Sequence, residues 1–414
     1  MEYRIQRKKG KVISETRTKT DNKISVCFIE RFFNMKVVIA FDSFKGCMTS
    51  VQAGRAAAQG VKRVYTDAEI CIRPLADGGE GTVEALISGM NGEFHTVKVS
   101  DPLGRPVKAT YGIITETHTA VIEMSAAAGI TLLSESERNP MNTTTYGVGE
   151  IIRDAIKNKC RKFIIGIGGS ATNDGGTGML QALGFGFYDK SDRQVGTGAR
   201  GLADIVRITD DNSISELSEC SFSVACDVKN PLCGEYGCSV VYGPQKGASQ
   251  KDIFLMDKWL ESFAELTKKK YKYSDANLPG TGAAGGMGFA FLSYLSGELK
   301  PGVEIILKET EFENYIQNAD LVITGEGMID SQTSMGKAPS GVAKLAKKYG
   351  CPVIAFSGAV SEDAAICNQY GIDAFFPVLR KVCSLKDAMC TDTAQHNLSD
   401  TVEQVMRVWK VAGQ

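Results

Sequence analysis

The chain has 414 residues, and its 47 lysines and arginines almost balance 48 aspartates and glutamates, giving a formal net charge of −1. This balance indicates neither nucleic acid nor an anionic membrane as a partner, and no apolar run approaches the roughly 20 residues of a membrane-spanning helix. The 12 cysteines include no CxxC pair, which favours reduced thiols in a cytoplasmic protein over a disulfide framework or a zinc site.

Residues 1–34 differ in composition from the rest of the chain. They hold nine lysines and arginines against four acidic residues, without the apolar core of a signal peptide. We expect a disordered basic extension here. Met35 opens the strand-like run MKVVIAF, so the folded protein is predicted to begin at that residue.

Two stretches of the chain alternate strands with helices, as a doubly wound α/β sheet requires. The predicted elements in chain order are strands at 35–43 and 69–75, helices from Thr49 and from Asp77, and later strands at 319–324 and 351–356 around a helix at 338–349. Thr49 and Gln52 have the spacing of a helix capping box. We therefore predict a Rossmann-like domain built from residues 35–92 and 300–414.

The segment between these stretches has a different pattern. Residues 94–114 alternate apolar and polar side chains around a Pro/Gly turn, which predicts an antiparallel hairpin. Helices are predicted at 147–159 and 251–270, each with apolar residues spaced to face a core. A mixed α/β domain, residues 93–299, is therefore predicted to interrupt the Rossmann-like domain.

Five loops combine glycine with carboxylates, hydroxyls or lysine. Glycine lets backbone N–H groups surround phosphate oxygens, lysine adds positive charge, and aspartate or glutamate can hold Mg²⁺. Several of these loops follow predicted strands, where open α/β sheets bind ligands. The loops are DSFKG (42–46), ADGGEGT (76–82), GIGGSATNDGG (166–176), GTGAAGGMG (280–288) and the stretch from TGEGMID to the lysine at 337 (324–337).

Other nucleotide and hydrolase motifs are incomplete or absent. SQTSMGKA lacks the leading glycine and the Ser/Thr of a Walker A loop, and no GxSxG elbow marks a serine hydrolase. GTGAAG has dinucleotide spacing but follows no predicted strand. GIGGSA does follow one, so a nicotinamide-dependent oxidoreductase of a small hydroxy acid stays open, although Asp174 would bring a carboxylate close to the cofactor pyrophosphate. A non-catalytic nucleotide-binding sensor is a third alternative.

Together, these loops resemble those of the glycerate kinase family. The resemblance extends through AFDSFKG, ADGGEGT, DPLGRP, GIGGSATNDGGTGMLQALG, CDVKNPLCG, YGPQKGA, GTGAAGGMGF and ITGEGMIDSQTSMGKAPSGVA. It leaves out residues 1–34, and it differs at Met328, where the family often has a basic residue. It implies a two-domain α/β fold with the active site in the cleft between domains, and phosphorylation of (R)-glycerate to 2-phosphoglycerate with ATP and Mg²⁺. We expect a cytoplasmic monomer or homodimer.

Phosphoryl transfer mainly requires positioning and charge neutralisation, so the loop residues are assigned to these tasks. Asp174 or Asp227 is expected to accept the proton of the glycerate hydroxyl. Asn173, which precedes Asp174, is also predicted to be catalytic. Lys45 is expected to offset the charge of a phosphate. Alanine at Asp174 is expected to abolish kcat and leave the fold intact.

The other assignments concern Mg²⁺, the substrate carboxylate and the cofactor. The candidates for holding Mg²⁺ or its waters are Asp42, Asp77, Glu326 and Asp330. Arg73, Arg105 and Arg200 are candidates for the glycerate carboxylate. The predicted cofactor-binding residues are Ser43, Asp77, Gly78, Gly79, Gly168, Gly169, Ser170, Thr324, Glu326 and Lys337; Asp77 has the alternative of only capping its helix.

Overall fold

A computed structural model describes residues 3–8, 11–20, 23–32 and 34–413, with side chains from residue 34 onward except at 335. The chain divides into two compact units. The first unit is Met1–Pro74 with Glu311–Gln414, and the second is Leu75–Thr310. Unit 1 is discontinuous and unit 2 is continuous, with boundaries that lie earlier than the predicted residue 93 and later than the predicted residue 299.

The backbone before residue 34 contains three strands, β1 (Tyr3–Lys8), β2 (Lys11–Thr20) and β3 (Lys23–Phe32). They form an antiparallel sheet in the order β1-β2-β3. This differs from the expected disordered extension. The segments are rich in threonine, valine, isoleucine and phenylalanine, which favour strands in spite of the excess of basic residues.

The first crossover of unit 1 contains β4 (Lys36–Phe41), α1 (Ser50–Lys62) and β5 (Glu69–Ile72). Helix α1 begins at the predicted capping box. Thr49 Oγ1 accepts from the N–H of Gln52, and Gln52 Oε1 accepts from the N–H of Thr49. Local sequence is therefore sufficient to place the start of this helix.

The second unit is built on a six-stranded sheet in the order β13-β12-β9-β8-β7-β6. Strands β6, β7 and β8 are antiparallel neighbours, which confirms the predicted hairpin, whereas β8, β9, β12 and β13 are parallel. The elements are α2 (Thr82–Gly89), β6 (Gly92–Ser100), β7 (Pro106–Ile114), β8 (Thr119–Glu123), α3 (Ser125–Ala128), α4 (Tyr146–Lys157), β9 (Lys162–Gly166), α5 (Thr177–Ala182), β10 (Gly186–Tyr188), α6 (Ala199–Leu202), β11 (Arg207–Thr209), β12 (Ser221–Ala225), α7 (Cys238–Tyr242), α8 (Gln250–Lys270), α9 (Ala283–Tyr294), β13 (Glu298–Lys300) and α10 (Gly302–Glu309).

Helix α2 explains why the boundary precedes residue 93. Its Ile87 side chain lies so close to β7 that a Cβ on Gly112 would be 2.1 Å from it. The helix therefore packs on the sheet of unit 2, although the sequence pattern places it with the preceding crossover. The predicted apolar faces of α4 and α8 are confirmed: Ile151 and Ile152 of α4, and Met256 and Leu260 of α8, are fully buried.

The second half of unit 1 contains α11 (Phe312–Ile316), β14 (Leu321–Ile329), α12 (Ala338–Lys348), β15 (Val353–Val360), β16 (Ala374–Pro377), α13 (Leu385–Ala388) and α14 (Thr391–Ala412). Its sheet is parallel throughout, in the order β16-β15-β14-β4-β5. The order reverses between β4 and β14, and ligands of doubly wound sheets bind beyond the strand ends at such a switch point. The α/β fold class is as predicted. None of the helices in the described part of the chain has the length and apolar character of a membrane span.

Candidate active site

Two predicted loops of unit 1 meet at the switch point. Phe41, the last residue of β4, pairs with Gly325 of β14, and the N–H of Asp42 donates to Gly325 O at 2.9 Å. Asp42 and Glu326 are thus the next residues on adjacent strands, and only 4% and 8% of their surfaces are exposed. This places two carboxylates, predicted separately from two loops, at one strand edge.

Lys337 joins Glu326 to Asp330. Its Nζ lies 3.8 Å from Glu326 Oε2 and 3.7 Å from Asp330 Oδ1, and Thr333 Oγ1 donates to Glu326 Oε1 at 2.8 Å. These ion-pair distances are longer than a good charged hydrogen bond. We call Asp42, Glu326, Asp330 and Lys337 the switch-point cluster.

The other predicted site residues of these two loops, Ser43, Lys45 and Thr324, differ in exposure and in hydrogen bonding. Ser43 is partly exposed and its N–H donates to Asp42 Oδ1. Lys45 is exposed. Its turn lies against β14, since a Cβ on Gly327 would be 3.7 Å from the Lys45 backbone nitrogen. Thr324 is fully buried and its hydroxyl donates to Ala40 O, so it ties the two strands together, which does not support its predicted role in binding the cofactor.

In unit 2, loop 168–170 follows the central strand β9. Gly168 and Gly169 are exposed, Gly169 has φ +70°, and Ser170 is partly exposed. Their loop lies at the carboxyl end of the sheet, beside the 77–79 loop, since a Cβ on Gly168 would be 3.3 Å from Gly79 Cα. Exposed N–H groups and a hydroxyl in this position can donate to an oxyanion.

Asp174 does not have the surroundings of a base. It is fully buried; its Oδ2 accepts from both the N–H and the hydroxyl of Thr145 and from the N–H of Gly178, and its Oδ1 accepts from the N–H of Gly176. Burial raises the pKa of Asp174, and these hydrogen bonds oppose the rise. The carboxylate holds the loop to α4 and α5, and these contacts do not support its predicted role as the catalytic base.

Asn173 is also fully buried. Its Nδ2 donates to Ser239 Oγ at 2.9 Å, inside the core of unit 2. The Asn-Asp pair therefore supports the loop from below. Asp227, the other predicted base, is exposed immediately after β12 and accepts from the N–H of Gly302 at 3.1 Å.

The 77–79 loop is a packing loop. The N–H of Gly79 donates to Asp77 Oδ1, and Gly78 is wedged so that a Cβ would be 2.3 Å from Ala225. Asp77 does not cap α2, which begins only at Thr82. The phosphate-donor role predicted for these glycines lacks support, since one N–H is used within the loop and the other glycine is packed in.

Glu123 takes the place expected of Asp77 at the start of α2. Its Oε1 accepts from the N–H of Val83 at 2.8 Å. Burial raises the pKa of Glu123, against the backbone hydrogen bonds from Val83 and Gly81. Nothing in the local sequence of α2 indicates this partner, which arrives from β8.

The three candidate arginines differ in availability. Arg105 is paired with Asp101 at 2.6 Å and Glu137 at 2.6 Å, so it stabilises its own turn. Arg73 stacks on the ring of Tyr315 at 3.8 Å. Arg200 is exposed and its Nε donates to Asn142 Oδ1. The carboxylate assignment is thus not supported for Arg105.

No group of three or more histidine, cysteine, aspartate or glutamate side chains capable of holding a metal ion occurs among the described residues. Mg²⁺ in kinases is usually held by one or two carboxylates together with phosphates and water. Glu326 and Asp330, joined by Lys337, fit that smaller donor set. Asp42, predicted as a metal ligand, adjoins them through the strand register.

The GTGAAGG run packs against the 166–176 loop. Ala284, Gly285 and Gly286 have left-handed conformations within α9, and a Cβ on Gly285 would lie 2.1 Å from Thr172 O. The N–H of Gly175 donates to Gly285 O at 2.9 Å. Glycine is therefore required for packing, as expected of a motif that follows no strand.

Lys246 has no predicted role, yet its side chain bonds to the loop after β9. This lysine of YGPQKGA is 98% buried, with a relative exposure of 2%, and its Nζ donates to Ser170 Oγ at 2.8 Å and to Thr172 O at 2.7 Å. Burial lowers its pKa to about 8, against the opposing effects of Cys238 and Asp174. Its place in a family motif with no assigned role was the available signal.

The chain is similar to known proteins over most of its length. A family model described as the glycerate kinase family matches residues 37–410. The chain belongs to the glycerate kinase family.

Individual glycerate kinases agree with this assignment. Glycerate kinase of Haemophilus influenzae is 44% identical over 374 residues, which cover 90% of this chain and 98% of that protein. Glycerate 2-kinase of Escherichia coli K12 is 44% identical over 354 residues, covering 86% and 93%. The crystal structure of a "putative glycerate kinase 2" from Salmonella typhimurium LT2 has a TM-score of 0.85 and 42% identity, covering 92% of this chain and 99% of that one.

As a member of this family, the chain is a kinase, and the oxidoreductase and sensor alternatives are wrong. The structure agrees, because α5 starts only at Thr177, well after GIGGSA. Met328, where glycerate kinases often have a basic residue, is 47% exposed on β14.

Proposed function

We propose that this kinase transfers the γ-phosphoryl group of ATP to the hydroxyl of (R)-glycerate and forms 2-phosphoglycerate. The observation that carries the proposal is the switch-point cluster, where carboxylates and a lysine lie at the carboxyl end of a doubly wound parallel sheet. The names of its relatives, glycerate kinase and glycerate 2-kinase, supply the acceptor. A cytoplasmic location and a monomeric or homodimeric state of this protein remain predictions.

In unit 1, the lysines provide charge for the phosphates. Lys337 is one-third exposed and pairs loosely with both carboxylates, so it can turn toward a phosphate at little cost. Lys45 is exposed on the adjoining turn. Glu326 and Asp330, with Asp42 beside them, would hold Mg²⁺ or its waters. Mg²⁺ held there would offset the negative charge that develops during transfer.

In unit 2, loop 168–170 supplies donors to an oxyanion of the substrates. Asp227 is the proposed base, because it is the exposed one of the two predicted aspartates. It would accept the hydroxyl proton of glycerate as the oxygen attacks phosphorus. Its bond from Gly302 N–H fixes the carboxylate at the end of β12.

The proposal is tested by incubating the purified full chain with Mg-ATP and D-glycerate. We expect equal amounts of ADP and phosphoglycerate, with ³¹P NMR showing the 2-phospho product. ADP without phosphoglycerate would indicate another acceptor. Activity that is unchanged when a chelator removes Mg²⁺ would contradict the metal assignment, and formation of 3-phosphoglycerate would contradict the position of transfer.

A further inference from the structure

Lys246 lies directly beneath loop 168–170. Its ammonium group is buried and makes two hydrogen bonds, to Ser170 Oγ and Thr172 O, both on the loop after β9. Burying a charged amine is unfavourable unless its donors are satisfied. The lysine thus contributes a charge to this loop at a cost that a neutral residue would avoid.

The hydrogen bond from Lys246 fixes where the Ser170 proton can point. A serine hydroxyl has one proton and two acceptor positions, and the ammonium occupies one of those positions. Ser170 Oγ makes no second hydrogen bond within the described part of the chain, and its side chain is partly exposed. The hydroxyl proton is therefore directed away from Lys246, toward the surface of the loop.

Two further donors lie beside this hydroxyl. Gly168 and Gly169 are exposed, and their N–H groups find no acceptor among the described residues. A backbone that presents successive N–H groups favours an anion. A neighbouring positive charge strengthens the O–H donor, because hydrogen bonds in a chain polarise one another.

We propose that Lys246 is a positioning residue that fixes the Ser170 hydroxyl as a donor to an oxyanion of the substrates. The oxyanion is the carboxylate of glycerate or a phosphate of the nucleotide, and the proposal rests on the function proposed above for these ligands. Lys246 acts through Ser170 and does not itself touch the ligand.

A purely structural lysine would differ from a positioning one in its pH dependence. Burial lowers the lysine pKa to about 8, although Cys238 and Asp174 both favour its charged form. Below this pH the ammonium polarises Ser170, and above it the charge is lost. If Lys246 only stabilised the fold, loss of its charge would not change ligand affinity by way of the Ser170 hydroxyl.

The test is a double-mutant cycle on the full chain with Ser170→Ala, Lys246→Met and the double variant. Because a hydrogen bond to a charged group is lost, we expect each single change to raise KM for one substrate about 10- to 100-fold. The double variant should be no worse than the poorer single variant. The substrate whose KM rises, glycerate or ATP, identifies the oxyanion. Effects that multiply, or unchanged KM values in Ser170→Ala, would overturn the proposal.

Ser170→Thr and the pH profile keep the test decisive if Lys246→Met fails to fold. Threonine keeps the hydroxyl, so KM should return toward the original value. In the unmodified protein, kcat/KM for that substrate should fall above a pH of about 8, and this limb should disappear in Ser170→Ala. An identical limb in that variant would contradict a role through Ser170.

Calorimetry separates this proposal from the kinase proposal. Binding of ADP alone and D-glycerate alone to the unmodified and Ser170→Ala proteins requires no turnover. Weaker binding of one ligand by Ser170→Ala supports the oxyanion site even if no phosphoglycerate forms, whereas equal affinities for both ligands would overturn it.

Discussion

Glu326 and Asp330 in the first unit share Lys337, whose side chain is one-third exposed, whereas Asp174 in the second unit is buried with both oxygens bonded to its own surroundings. Both regions follow central strands of parallel β-structure, and both combine glycines with carboxylates in one loop. The difference shows that a carboxylate in a glycine-rich loop can either pair with a partly exposed lysine or be buried and bonded to the loop that carries it. Burial and hydrogen-bond partners distinguish the two cases.

The largest expected effect tests which aspartate of unit 2 is the base. Asp227→Asn removes the proton acceptor but keeps the size of the side chain, so kcat should fall about 10²- to 10⁴-fold. ADP release in a coupled assay measures this, with circular dichroism as a check on folding. Asp211→Asn, an exposed change in the same unit, is the matched control and should keep kcat. Near-normal turnover in Asp227→Asn would remove this residue from the mechanism.

Asp174→Ala should act on stability. The change leaves the N–H groups of Thr145, Gly176 and Gly178 without their acceptor in a buried site, and the free energy of unfolding should fall by about 3 kcal/mol or more. Urea denaturation followed by circular dichroism measures the loss. A variant with native stability and no turnover would restore the original interpretation of Asp174 as the base.

The first unit is tested by Lys337→Met. Removing a charge that pairs with a phosphate should raise KM for ATP about tenfold, with a smaller change in KM for glycerate. Steady-state kinetics with each substrate varied in turn separate the two. Lys348→Met provides the control, because Lys348 is exposed at the far end of α12, the helix that Lys337 precedes. Equal effects of the two lysine changes would mean that only the net charge of the helix matters.

The smallest expected effect concerns Arg105. Its guanidinium is occupied by the buried Asp101 and by Glu137, so it stabilises its own turn and is not directed at a substrate carboxylate. Arg105→Ala should therefore change KM for glycerate less than about threefold. A loss of glycerate affinity on the scale expected for a direct charged contact would instead place Arg105 on the substrate carboxylate.

Features determined by neighbouring residues were predictable from the sequence. The Thr49 and Gln52 cap, the β6–β7 hairpin and the apolar face of α8 depend on spacing within a few residues, and each was confirmed. The resemblance to the family located every loop of the candidate site. The sequence also placed charged and hydroxyl residues at the ends of β4 and β14.

The roles within those loops were less predictable because they depend on distant partners. Asp174 is 29 residues from Thr145, and Lys246 is 76 residues from Ser170. Such contacts, and not the loop's own amino-acid sequence, decide which side of a loop faces solvent. For the same reason Glu123, 40 residues from Val83, was not foreseen at the start of α2.

The position of β4 has a consequence for biosynthesis. Lys36, at the start of this central strand, bonds to Asp320, 284 residues further along the chain. At about 5–20 residues per second, β14 leaves the ribosome on the order of tens of seconds after β4. In that interval the contiguous second unit is complete, while β4 lacks one of its two neighbours. The unit that is synthesised first is therefore the last that can be finished.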